Sequence, residues 1–230
     1  MAWGMKNRTI QLFGSSIIEG RIGVERAADR WYELMRSRLC ELFPDTCFAV
    51  YNGAVGGKNT RELMAKFDRD LEGHTPDICI AMFGWNNWRM NLPPERRVSI
   101  SELEELMADF PKHLPEKTRC VGVVSQPMID AWHESFSDPA YDPVRAEYGG
   151  VDAYHDRERE AARNFFRRHG IPFVDLQKLM AGEPEKYIVR DGIHLSAAGH
   201  RLFADAMVEL LVPILREENA NTPAAAGDGR

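Results

Sequence analysis

The chain of 230 residues is 44% hydrophobic and 28% charged, with a formal net charge of −6 and a pI near 5.7. That is the composition of a soluble globular protein, and its acidity disfavours a nucleic-acid partner, which is held by a basic face. No run approaches about 18 consecutive apolar residues, so no membrane span is expected, and the opening "MAWGMKNRTIQ" has no apolar leader core, which makes the cytoplasm the expected compartment.

Apolar runs and helical patterns then alternate. "TIQLFG" reads as the first strand, and residues 25–43 give a helical face through Trp31, Leu34, Met35, Leu39, Leu42 and Phe43. "CFAVYNG" is a second strand. Thr60 is placed to cap a helix with Leu63, Met64, Phe67 and Leu71 inward. "DICIAMFG" is a third strand, and Ser101 with Glu104 has the capping-box pattern for a helix burying Leu103, Leu106, Met107 and Phe110. "CVGVVS" is a fourth strand, followed by an irregular insertion over about 126–155, rich in Pro, Asp and aromatics, of a length expected only of a functional or a disordered segment. A helix with Ala161, Ala162, Phe165 and Phe166 inward closes at Gly170, and the charges of "REREAARNFFRRH" alternate as on a solvated helix face. "IPFVDL" is a fifth strand, and Ser196 caps a last helix burying Leu202, Phe203, Ala206, Met207, Leu210 and Leu211. The pattern predicts one domain over 1–216, with 217–230 a mobile tail.

Near-continuous apolar strands alternating with helices predict a five-stranded parallel sheet in a three-layer α/β/α domain, with right-handed crossovers favouring the order 2-1-3-4-5. Neither G-x-G-x-x-G nor G-x-x-x-x-G-K-[ST] is present, so dinucleotide and P-loop phosphate binding have no motif. Cys40, Cys47, Cys79 and Cys120 form no C-x-x-C pair and no zinc spacing, and are expected to stay reduced.

In this strand order, ligands gather at the carboxyl ends of strands near the switch between the first and third. Three βα turns meet there: "GSS" at 14–16, "NGAVGGKNT" at 52–60 and "GWNN" at 84–87. They offer a hydroxyl, a glycine-rich backbone and a side-chain amide, the parts of a nucleophile with an oxyanion hole. A serine needs an imidazole oriented by a carboxylate, and "DGIHLSAAGH" supplies Asp191 and His194 three positions apart.

These blocks together resemble the SGNH hydrolases, also called GDSL esterases and lipases, over roughly residues 9–211. The resemblance implies a flavodoxin-like fold and a serine ester hydrolase with Ser16 as nucleophile and Asp191 and His194 completing the triad. It implies an oxyanion hole of Ser16, Gly57 and Asn86. The family's Asp before the nucleophile is Ser15 here, and the Asp after the oxyanion Asn is Asn87. The substrate implied is a small-molecule carboxylic ester, such as an acetyl ester of a carbohydrate or small alcohol. The alternatives are an acyltransferase, a lysophospholipase or thioesterase using the same triad, or a non-catalytic binding protein on the same fold. No cofactor or metal is implied, and the oligomeric state is left open.

Trp85, Asn87, Trp88 and Arg89, around the oxyanion block, are the candidate substrate contacts. Ser15 is the rival nucleophile, and Asn87 the rival of Asn86. Gly53 and Gly56 are expected as turn or packing glycines. His200 is expected as a packed or surface residue, and His74, His113 and His169 fall near helix ends. His133 and His155, in the insertion, are within range of substrate, with the surface as the simpler expectation.

Overall fold

The computed structural model describes residues 5–88 and 93–221. In chain order the elements are β1 (Lys6–Phe13), α1 (Ser16–Glu19), α2 (Trp31–Leu42), β2 (Thr46–Asn52), α3 (Thr60–Asp70), β3 (Ile78–Met82), α4 (Ile100–Asp109), β4 (Arg119–Val124), α5 (Asp142–Tyr148), α6 (Val151–Arg168), β5 (Phe173–Asp175), α7 (Leu176–Leu179), α8 (Pro184–Tyr187) and α9 (Ala197–Asn221). The five strands are all parallel and lie in the order β2-β1-β3-β4-β5, as the apolar pattern predicts.

Side chains alternate across each strand, so each face of the sheet buries its own core. Ile10, Leu12, Ile78, Ile80, Met82, Val121 and Val123 face α2 and α9, where Trp31 stacks on Phe203 with ring centroids 4.1 Å apart. Phe13, Cys79, Ala81 and Val124 face α3, α4 and α6, where Phe67 stacks on Phe110 at 5.0 Å. Both faces are covered, and this is why the strands read as unbroken apolar runs. Among the described residues no helix is long and apolar enough to cross a membrane.

Several local expectations need correction. The first long helix begins at Trp31; residues 27–29 form a single 3-10 turn, and Leu42 is 49% exposed. Asn59, not Thr60, caps α3: its side chain accepts the Glu62 N–H while the Glu62 carboxylate accepts that of Asn59. Ser99, two residues before the expected Ser101, caps α4 through the Glu102 N–H. Residues 126–155 are less irregular than their composition suggests. Three 3-10 turns and α5 occupy the stretch, and α6 already begins at Val151. The charged segment of α6 is not all solvated. Glu158, Arg159 and Arg163 are buried, with Arg159 ion-paired to Asp152 and Asp156 and donating to the Gln126 carbonyl. The last helix runs to Asn221, past the expected domain end at 216; residues 222–230 of the expected tail lie outside the described residues. Ser196 does cap that helix, accepting the Gly199 N–H at 3.2 Å. All four cysteines are free.

Candidate active site

The first βα turn is built around close approach. A Cβ on Gly14 would lie 2.5 Å from Ile18 Cγ1, so only glycine lets α1 start this tightly against the strand end. The two serines that follow point into different surroundings. Ser15 is 2% exposed, and its hydroxyl meets no hydrogen-bond partner among the described residues. Ser16 opens α1, so its amide N–H has no acceptor within the helix, and its Oγ lies 2.9 Å from His194 Nε2.

The histidine arrives from 178 positions away on a pinched turn. An antiparallel bridge between Ile188 and Leu195 closes the turn, and Val189 N–H donates to the His194 carbonyl at 2.8 Å. Asp191 Oδ2 lies 2.6 Å from His194 Nδ1, and Oδ1 accepts the N–H groups of Ile193 and His194, each at 2.9 Å. Burial pushes the Asp191 carboxyl up, but these two amides and the imidazole outweigh it and hold it below the usual carboxylate value. An ionised carboxylate only accepts, so Nδ1 carries the ring proton and Nε2 presents a lone pair to the Ser16 hydroxyl. The 126–155 insertion supports this turn: Gln126 Nε2 donates to the Ile193 carbonyl at 2.9 Å, and Ile129 N–H to that of Gly192 at 2.9 Å.

The other two βα turns come alongside. Val55 N–H donates to the Gly14 carbonyl at 3.1 Å, joining the glycine-rich turn to the serine turn, and Gly57 takes φ 77°, a conformation that favours glycine. Asn86 Nδ2 gives one hydrogen to the Lys58 carbonyl at 3.2 Å, which leaves its second N–H for another acceptor. Ser16, Gly57, Asn86 and His194 all line one cavity of about 310 Å³.

Of the candidate substrate contacts, Trp85 and Trp88 line this cavity. Asn87 does not: it is fully buried, its Oδ1 accepts the Thr60 N–H at 2.9 Å, and its carbonyl accepts the Val98 N–H at 2.8 Å. Asn87 therefore ties the loop to α3 from behind the cavity wall. Arg89 lies outside the described residues. His155 also departs from expectation, since it is buried on α6 with its ring at the cavity wall, and His133 lines the cavity as well. Glu19, Met128, Glu134 and Val151 complete much of the wall. Only Glu19 carried a sequence signal, three positions past Ser16 and so one helical turn on. His200 is buried and does not line the cavity, accepting the Trp31 N–H at Nδ1 and donating to the Ile22 carbonyl from Nε2. His113 pairs with Asp68 and Asp109. Among the described residues, no group of three or more His, Cys, Asp or Glu is placed to hold a metal ion.

Trp85 has the one positive φ found among the described non-glycine residues, 68°. For a bulky side chain that backbone costs about 1–2 kcal/mol, so surrounding contacts must hold it. Its amide N–H donates to Glu158 Oε2 at 3.0 Å.

The family model of the GDSL-like lipases and acylhydrolases matches residues 12–202. Among solved structures, the chain is similar to a lipase/acylhydrolase from Enterococcus faecalis, with TM-score 0.69 and 18% identity over 95% of this chain and 100% of that one. It is similar to Axe2, an acetylxylan esterase from Geobacillus stearothermophilus, with TM-score 0.65 and 18% identity over 90% of this chain and 96% of that one. It is also similar to LAE5, an alpha/beta hydrolase enzyme from the metagenome of Lake Arreo, Spain, with TM-score 0.64 and 21% identity over 90% and 96% of the two chains. At these identities the likeness is one of fold. No curated protein matches the sequence at a significant level. The family match spans most of the chain and all the turns described above: the protein belongs to the GDSL-like lipase/acylhydrolase family, the SGNH hydrolases, and is a carboxylic ester hydrolase.

Proposed function

We propose that the protein is a serine esterase in which Ser16, His194 and Asp191 act as a catalytic triad on a short-chain ester. The observation that carries this reading is the continuous chain of contacts from Ser16 Oγ to His194 Nε2 at 2.9 Å and from Nδ1 to Asp191 at 2.6 Å. Ser16 Oγ attacks the ester carbonyl carbon as its proton passes to His194 Nε2. Asp191 then faces an imidazolium and stabilises it. The tetrahedral oxyanion is held by the N–H groups of Ser16 and Gly57 and the free amide N–H of Asn86. One such donor is worth about 3 kcal/mol of transition-state stabilisation. His194 returns the proton to the leaving alcohol as its C–O bond breaks, leaving Ser16 acylated. Water attacks this acyl-enzyme, giving its proton to His194, and the carboxylic acid leaves as Ser16 is reprotonated.

A cavity of about 310 Å³ is at the small end of ligand sites, which suits a short acyl group on a small alcohol or one sugar unit better than a long chain. Acetylxylan esterases among the structurally similar proteins agree with an acetyl ester of a carbohydrate. The test is an ester panel varied in acyl length and alcohol, with Ser16→Ala as blank. Acetyl esters should be turned over faster than octanoyl esters by the wild type and not at all by the variant. Preference for long acyl chains would overturn the substrate assignment, and activity in Ser16→Ala would overturn the mechanism.

A further inference from the structure

The Gly84–Asn87 loop, which presents the Asn86 amide, is held from two sides. From α3, Thr60 Oγ1 accepts the Gly84 N–H at 3.1 Å and the Thr60 N–H donates to Asn87 Oδ1 at 2.9 Å. From α6, which none of the turn blocks includes, Glu158 reaches the residue between them. Glu158 Oε2 accepts the Trp85 N–H at 3.0 Å and lies 2.6 Å from His155 Nδ1. The His155 ring stacks on the Trp85 indole with centroids 4.4 Å apart, and the Arg159 guanidinium lies 6.0 Å from the same indole. Backbone and side chain of Trp85 are therefore gripped by one helix.

Glu158 is 3% exposed, and its Oε1 has no partner among the described residues. A buried, half-satisfied carboxyl group is a poor way to stabilise a fold, because it gives up hydration without full replacement. Its remaining oxygen bonds the amide of the residue whose backbone is left-handed, and that residue immediately precedes Asn86. We propose that Glu158 is a positioning residue for the oxyanion hole: it holds Trp85 at positive φ and so aims the Asn86 amide at the reacting carbonyl, with His155 fixing the carboxyl group in place. This rests on the esterase reading of the site.

The test is a double-mutant cycle between Glu158 and Asn86. Glu158→Leu and Glu158→Asp, the latter too short to reach the Trp85 amide, are each made alone and with Asn86→Ala. Steady-state constants are measured on nitrophenyl acetate, and folding is followed by near-UV circular dichroism. Asn86→Ala alone should lower kcat by about 10²–10³-fold. Each folded Glu158 variant should lower kcat by about 10–100-fold while KM stays within about threefold, since only transition-state binding is lost. In the Asn86→Ala background the same change should cost less than about threefold, because the group it positions is already gone. Glu158→Gln keeps an oxygen for the Trp85 amide and should restore kcat to within about fivefold of wild type. If the leucine variant does not fold, the aspartate variant carries the cycle. Multiplicative losses, or an unchanged kcat in a folded leucine or aspartate variant, would overturn the proposal while leaving the esterase reading intact. A wild type without esterase activity would overturn both.

Discussion

Replacing Asp191 by asparagine removes one charge and rewrites one hydrogen bond. In the wild type Oδ1 accepts the N–H groups of Ile193 and His194 at 2.9 Å, and Oδ2 accepts the ring N–H of His194 at 2.6 Å. The amide oxygen of asparagine can still serve the two backbone donors, so its NH2 must take the place of Oδ2. An NH2 group facing Nδ1 demands a lone pair there, and the neutral imidazole then carries its proton on Nε2, against the Ser16 hydroxyl. That tautomer cannot accept the serine proton. Recovering the working tautomer sets two N–H groups against each other, and the imidazolium formed on attack has lost its counter-charge. Together these effects are worth about 4–5.5 kcal/mol, or about 10³–10⁴ in kcat. The assay is turnover of nitrophenyl acetate by Asp191→Asn, with circular dichroism to show that the fold is kept. A loss below about tenfold in a folded variant would refute the role given to Asp191.

Other outcomes follow from the same geometry. Ser16→Ala should abolish turnover with little change in melting temperature. Ser15→Ala should keep activity within about fivefold and leave stability unchanged or raised by up to about 1 kcal/mol, because it removes a buried hydroxyl with no partner among the described residues. Since Asp191 is held below the usual carboxylate value, its carboxylate should add no ionisation of its own to the acid limb of kcat/KM between pH about 7 and 5; a limb with a slope of two per pH unit would contradict this. Burial pushes the His200 imidazole below its usual value, and its Nδ1 accepts the Trp31 N–H, so it is neutral in the fold. The unfolded chain takes that proton near pH about 6.5, so the stability His200 contributes is full above that value and is lost as pH falls toward its depressed native value. The melting temperature should therefore decline between pH 7 and 5, and His200→Asn, which keeps an acceptor but does not titrate, should flatten that decline.

The sheet was legible because its strands are buried on both faces and read as apolar runs, and right-handed crossovers then left one simple order. Ser16, Asp191 and His194 were legible because each sits at the start of a βα turn or just before a capped helix, where short spacing limits what a side chain can reach. Other features had no such signal. Asn59 against Thr60, and Ser99 against Ser101, differ by one or two positions among residue types that all cap helices, and for Thr60 a tertiary contact takes the hydroxyl away: it is used by the Gly84 amide. The insertion hid its helical turns because segments of three to seven residues are too short to show a period. Glu158 and Arg159 were misread as solvated because charge alternation looks the same whether a helix face meets water or buried partners. Two of their partners, the Trp85 amide and the Gln126 carbonyl, are backbone groups that leave no trace in side-chain patterning.

The proposed mechanism turns on which hydroxyl reacts. A fluorophosphonate traps the serine nucleophile of such a site covalently, and peptide mapping by mass spectrometry locates the adduct. Stoichiometric labelling of Ser16 is expected, lost in Ser16→Ala and kept in Ser15→Ala. An adduct on Ser15, or labelling that persists without Ser16, would contradict it.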